Sequence, residues 1–358
     1  MSTAPGPSTP TVPAEGAAEH PARSGPGFLA GRYRDAWGFL GLVVVVVLLS
    51  LGAQYVFVPS EQRTLASVFM FVVLAQGWNL IGGFAGYPSF GNVVFFGLGG
   101  YTTAVLMAKA SAGFWVTLPA AAAVGVLFAV LVGIPVLRLR GHYFAIATLG
   151  VAEGTREVVI NVPGLTGGNR GITVPAVGSE ATTSYPGNTG FYFYFLVLAV
   201  ATVLLVWLVA RSRFGYALRA IAQDEESAAA MGINTTRTKI AAFALAGLVT
   251  ALAGAIFAFQ QVTVYPQRMF DVDITVLMVV MAVLGGTGTV LGPVLGAVGL
   301  QYLSEYLRNN FPDYHTFIFG GIIVLAVVLL PMGVVTFTRD AWNQRRIGLF
   351  DAIRAYRL

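Results

Sequence analysis

Apolar runs of about twenty residues, each closed by a few polar or helix-breaking positions, repeat along the chain from Phe39 to Val335. Crossing the roughly 30 Å of bilayer hydrocarbon takes about 20 helical residues. Windows of that length fall near 37–58, 63–82, 90–109, 114–137, 142–161, 190–210, 239–262 and 315–335, and two shorter pieces, 272–284 and 290–307, complete the set. The pattern predicts an all-α, polytopic transmembrane helical bundle of about 9–10 spans, some broken or re-entrant. Residues 1–32 are rich in Pro, Ala, Gly, Ser and Thr and lack apolar periodicity, so they read as a disordered tail. The transmembrane domain covers 33–337 and a C-terminal tail covers 338–358. No basic segment and short apolar core precede Phe39, so a cleaved leader is not expected.

Two of the runs are punctured. NLIGGFAGYPSFGNVVFFGLGGY places Gly82, Gly83, Gly86 and Pro88 inside one, and VLMVVMAVLGGTGTVLGPVLGAVGL places Gly285, Gly286, Gly288, Gly292 and Pro293 inside the other. Interrupting a helix in lipid frees backbone N–H and C=O groups at several kcal/mol each unless protein or a watery cavity satisfies them. The breaks therefore belong in the bundle interior or at a membrane face. Paired interruptions of this kind point to a translocation path, whereas the same glycines also serve close helix packing. If a path exists, its expected polar lining is Gln76, Trp78, Asn79, Tyr87, Ser89 and Asn92 on the first break, with Gly285, Gly286, Thr287 and Thr289 on the second.

One polar stretch, RSRFGYALRAIAQDEESAAAMGINTTRTK from Arg211 to Lys239, separates two long apolar runs. Leu218, Ile221, Ala228 and Met231 recur at roughly helical spacing, Asp224, Glu225 and Glu226 make an acidic knuckle, and Gly232 offers a left-handed helix stop. Asn234 or Thr235 can cap the helix that follows. A short charged helix held between two spans suits docking to a soluble subunit, although an amphipathic helix lying on lipid has the same pattern. Arg211, Arg213, Arg219, Arg237 and Lys239 lie near span ends, where the positive-inside bias is counted. This places the loop in the cytoplasm, and counting spans backwards puts the Arg138–His142 turn inside, the 162–189 loop outside and the N-terminus inside. Arginines at 23, 32 and 34 and at 339, 345, 346, 354 and 357 agree with both termini being cytoplasmic in a plasma or inner membrane.

Composition narrows the chemistry. The 358 residues are 56% hydrophobic and 10% charged, with a formal net charge of +5 and no cysteine, which removes disulfides, thiolate nucleophiles and Cys metal sites. His20, His142 and His315 are far apart in sequence, and no metal site is expected. Ion coupling would call for mid-span carboxylates. Glu153, Arg156 and Glu157 lie towards the outer end of their span, Glu305 sits beside Arg308, and Asp271 and Asp273 read as N-terminal charges on a helix. Neither lysine follows a glycine, so no phosphate-binding GK[ST] loop exists, and no GxSxG elbow appears. No catalytic residues are expected, the chain binds no cofactor itself, and it is not read as an enzyme.

Within the loop, Glu226, Ala228 and Gly232 match the E-A-A-x-x-x-G coupling motif of ABC-importer permeases, with Ser227 in place of its first alanine. That region extended to FALAGLVTALAGAIFA, together with LRLRGHYFAIATLGVAEGTREVV, LTGGNRGI and VVMAVLGGTGTVLGPVLGA, resembles the LivM-like permease subunits of branched-chain amino-acid ABC importers over about residues 60–335. The resemblance implies the ABC importer permease fold, a homologous second permease subunit, two cytoplasmic ATP-binding subunits carrying ATP and Mg, and an extracytoplasmic solute-binding protein. It assigns Asp224, Glu225, Glu226, Ala228, Ala229 and Gly232 to the helix that couples to the ATPase. In GYPSFGNVVFFGLGGY, Asn92 and Val93 stand where the family often has His-Ala, which leaves urea or amide import open beside branched-chain amino acids. An ion-gradient-driven secondary transporter and a membrane scaffold without transport are the rivals from other classes.

Overall fold

A computed structural model of the chain describes residues 59–175, 186–329 and 333. The expected span near 37–58 and both tails lie outside the described residues. Helix α1 (Pro59–Trp78) runs into a π-helical turn, Asn79–Gly83, and an extended segment leads to α2 (Val93–Ala110). Then follow α3 (Phe114–Val136), α4 (His142–Ile160), α5 (Pro163–Thr166), α6 (Gly187–Arg211), α7 (Arg213–Gln223), α8 (Glu225–Ala230) and α9 (Thr235–Gln261). The set closes with α10 (Pro266–Met269), α11 (Val272–Gly285), α12 (Gly292–Asn310) and α13 (His315–Leu329). Two short strands, β1 (Ile172–Thr173) and β2 (Thr263–Val264), pair antiparallel with Ile172 opposite Val264.

Among the described residues five helices are long and apolar enough to cross a membrane: Glu61–Gly83, Val93–Ala110, Phe114–Val136, Gly187–Arg211 and Thr235–Gln261. The other expected spans are polar or short for identifiable reasons. α4 carries Glu153, Arg156 and Glu157, α11 stops after 14 residues at Gly286, α12 ends in Glu305 and Arg308, and α13 has 15 described residues.

α9 occupies the centre, packed on α2 and α3. Lipid tails are as apolar as leucine, so helices in a bilayer associate through close backbone approach rather than hydrophobic exclusion. Gly254 shows how close: a Cβ there would lie 1.9 Å from the carbonyl oxygen of Phe96. The Gly125 position on α3 meets the Gly247 carbonyl at 2.7 Å in the same way.

The connections sort onto two ends. Arg140 in the α3–α4 turn reaches Glu226 in the 212–234 loop, and Tyr87 from the first break reaches Glu225, so these three segments share one end. At the other, Lys109 donates to the Gly164 carbonyl, Gln267 to Asn169, and Thr189 to Gln62, with the β1–β2 pair joining the 161–175 and 262–271 connections. This alternation agrees with the order of spans read from the hydropathy pattern.

Candidate functional site

The polar loop between α6 and α9 forms two helices rather than the single one expected. Asp224 causes the division: its backbone is extended (φ −157°, ψ 116°), and its side chain caps α8 by accepting from the Ser227 N–H at 2.5 Å. A hydrogen bond from the Ser227 side chain, with the one from its N–H, lowers the Asp224 carboxyl below the ordinary carboxylate range. Ser212 caps α7 through Gly215 N–H, and Asn234, rather than Thr235, caps α9 through Arg237 N–H at 3.0 Å. At the end of α8 the Ile233 N–H reaches the Ala228 carbonyl and the Gly232 N–H reaches that of Ala229, a Schellman closure for which Gly232 takes φ +87°. The chain reversal is thereby closed by hydrogen bonds at every corner.

Leu218, Ile221 and Ala228 face the bundle and are buried. Met231 does not join them: the kink at Asp224 breaks the helical register, and Met231 is 83% exposed. Asp224, Glu226, Ser227, Ala229, Ala230, Met231 and Gly232 make an outward surface of small and acidic residues. Glu225 turns inward. Its Oε1 accepts from Lys239 Nζ at 2.6 Å, its Oε2 accepts from the Tyr87 hydroxyl, and Arg140 Nε lies 3.5 Å away. Burial opposes ionisation of Glu225, but the hydrogen bonds from Lys239 and Tyr87 together outweigh it and hold the carboxyl below its usual range.

Lys239 was read from sequence only as one of several loop bases, yet it is buried on the inner face of α9. A signal was present: Ala242, Phe243 and Ala246, at i+3, i+4 and i+7, all face the core, so the helical period puts residue 239 there too. Its ammonium donates to Glu225, to the Tyr87 hydroxyl at 3.0 Å and to the Leu137 carbonyl at 2.9 Å, and lies 4.4 Å from the Tyr87 ring centroid. Three donors meet three acceptors, which is what a buried ammonium requires.

The two breaks meet. Asn79 Nδ2 donates to the Thr289 carbonyl at 2.8 Å while its Oδ1 accepts from Gly288 N–H at 2.9 Å, and Gln76 Nε2 donates to the Val290 carbonyl at 2.5 Å. Side chains of the first interrupted helix thus satisfy backbone groups freed by the second. Thr289 Oγ1 accepts from Gly292 N–H and donates to the Gly286 carbonyl, and Gly285 packs against Gly292. Trp78 Nε1 donates to the Ser89 carbonyl, bracing the first break from within. Gln76, Asn79, Gly285, Gly286 and Thr289 are therefore brought to one junction, with Trp78 and Ser89 behind it. Tyr87 instead joins the 212–234 loop, Thr287 is exposed, and Asn92 lies apart at the start of α2, fully buried with neither amide atom hydrogen-bonded among the described residues.

Residues 62–327 match the family described as branched-chain amino acid transport system, permease component. The chain is 31% identical over 320 residues to the high-affinity branched-chain amino acid transport system permease protein LivM of Salmonella typhimurium, covering 82% of this chain and 75% of that one. It is 25% identical to the autoinducer 2 import system permease protein LsrC of Salmonella typhi over 312 residues, 83% and 85% of the two chains. To the permease protein LivH of Salmonella typhimurium it is 25% identical over 292 residues, 76% and 92% of the two. No solved structure matches.

Proposed function

The chain belongs to the permease-component family of branched-chain amino acid transport systems, and we propose that it is one of two membrane-spanning subunits of an ATP-driven importer that brings branched-chain amino acids into the cytoplasm. ATP and Mg are held by two separate ATPase subunits, a homologous permease completes the membrane path, and an extracytoplasmic binding protein delivers the solute. The observation that carries this reading is the 212–234 loop: two short helices, capped at each corner, present a small-residue and acidic outer surface while Glu225 ties them into the spans. Such a surface can receive a groove of a soluble subunit, and its anchoring lets a push on it reach the bundle. Among the described residues Arg138, Arg140, Arg211, Arg213, Arg219, Arg237 and Lys239 gather at this end, against Arg63, Lys109, Arg156, Arg170, Arg268 and Arg308 at the other, so the two ends differ by a single base. The cytoplasmic side of the loop rests on reading it as the surface that receives the ATPases. The junction of Gln76, Asn79, Gly286 and Thr289 is the proposed gate on the solute path.

The test uses proteoliposomes holding both permeases and both ATPases, supplied with binding protein. Gly232→Pro removes the Gly232 N–H bond and cannot adopt φ +87°, and Asp224→Arg with Glu226→Arg reverses the outer charge. Each is expected to lower leucine uptake by about tenfold or more while ATP hydrolysis persists and the protein remains inserted. Normal uptake in those variants rejects the assignment, as does accumulation of solute by the permeases alone on a pH or sodium gradient. Preferential uptake of urea or an amide rejects the substrate while leaving the architecture.

A further inference from the structure

Lys239 is a buried charge that docking alone does not explain. It projects from the first turns of a membrane-spanning helix, is 3% exposed, and holds one hydrogen bond to each of three separate segments: Glu225 in the loop, Tyr87 in the first break and the Leu137 carbonyl at the end of α3. A buried ammonium is tolerated only while its partners stay with it. Any shift of the loop that left Lys239 behind would strand an unpaired charge inside the protein. Neighbouring contacts run the same way. The Arg219 guanidinium lies 5.2 Å from the Phe84 ring centroid, and Gly86, at φ +73°, backs onto Ala222, which a Cβ on residue 86 would approach to 3.3 Å. Residues 84–87 are thus fastened to the loop along their length, and they lead back into the π-helical turn from which Asn79 grips Gly288 and Thr289.

We propose that Lys239, Glu225 and Tyr87 form the transmission link of the importer, a positioning triad that makes the docking loop and the first break move as one body. The inference rests on the reading of that loop as an ATPase docking site. Tyr87 closes the triangle by donating to Glu225 while accepting from Lys239, so each corner is held by the other two. A displacement delivered at the outer face of α8 then arrives at the junction of the two breaks without passing through a flexible connection. A link of this kind is established by coupling energies rather than by spatial continuity.

The experiment measures leucine uptake per ATP hydrolysed in the reconstituted four-subunit complex, together with the amount of ATPase that copurifies. Tyr87→Phe is expected to lower the ratio about threefold, and Lys239→Met and Glu225→Gln about tenfold each, with ATPase retained. The double variant Lys239→Met/Glu225→Gln is expected to be no worse than the poorer single, because both remove the same unit. An unchanged ratio in Tyr87→Phe and Lys239→Met overturns the link, and a double variant losing about a hundredfold, the product of the singles, overturns the triad as a unit. If Lys239→Met fails to accumulate in the membrane, Tyr87→Phe decides alone, since it keeps the ion pairs. Absence of ATPase from the complex made with the unaltered chain would overturn the docking assignment instead, which separates the two failures.

Discussion

Asn92 carries a cost that no described protein group offsets. Its amide is fully buried at the start of α2 and neither atom has a hydrogen-bond partner among the described residues, whereas Asn79, thirteen positions earlier, satisfies both of its amide atoms at the junction. An unsatisfied buried amide costs about 1–3 kcal/mol, and replacing it by an apolar side chain of similar size is neutral or stabilising. Retention of such a group has a reason if it meets a partner in another conformation of the cycle. Asn92→Leu is therefore expected to raise the thermal unfolding midpoint in detergent and to lower uptake by about tenfold. A variant that is more stable and transports normally removes Asn92 from the proposed path. The contrast between the two asparagines was not readable from sequence, where both appear as polar positions beside glycines.

The clasp between the breaks makes a sharper demand on Gly83, since a Cβ there would lie 1.9 Å from Asn79 Oδ1 and 2.6 Å from Gly288 N. Gly83→Ala must push apart the pair of hydrogen bonds that joins the breaks, at about 1–3 kcal/mol for overpacking. Gly133→Ala on α3 meets nothing nearer than 3.3 Å and serves as the comparison. The expected result is a thermal midpoint several degrees lower for Gly83→Ala alone, and equal midpoints would show that the clasp yields freely. Both interruptions were legible in the sequence because glycine and proline punctuate otherwise unbroken apolar runs, and their bounds came out close to the observed ends of α11 and α12. That they bind each other was not legible, because the contacts join residues about 210 positions apart. The loop shows the opposite failure, a local one. Asp224 was read as part of an acidic surface, but as a capping residue inside the run it starts a new helix, which turned one expected element into two and sent Met231 outward. In the sequence Lys239 looks like the other loop bases near span ends, and only the helical period of α9 separates it from them.

α4 buries Phe144, Thr148, Ala152 and Val159 on one side and leaves the opposite side uncovered in the single chain. Tyr143, Ile146, Gly150, Gly154 and Glu157 recur along one exposed stripe, and a Cβ at Gly150 or Gly154 would meet nothing within 4 Å. Beside this stripe Arg156 pairs with Glu153 at 2.8 Å and with Glu157 at 3.4 Å, all three partly exposed. Charged groups on a membrane-spanning segment are costly against hydrocarbon and face protein or a watery cavity instead, and two glycines four apart permit a second helix to approach closely. The long helices α3 and α6 need no such cover, because their exposed positions, such as Val116, Leu127, Leu131, Val197 and Leu208, are apolar and suited to lipid. The α4 stripe is accordingly the proposed seat of the homologous permease, with the ion cluster at the outer part of their shared boundary. Gly150→Leu with Gly154→Leu fills the groove without adding charge and is expected to cut copurification of the second permease about fivefold or more, while the isolated chain keeps its thermal midpoint. Filling an apolar stripe instead, with Leu127→Trp on α3, is expected to leave the pair intact. Equal pairing in all three proteins would place the boundary elsewhere and leave the Glu153–Arg156–Glu157 cluster to face water or headgroups at the end of its span.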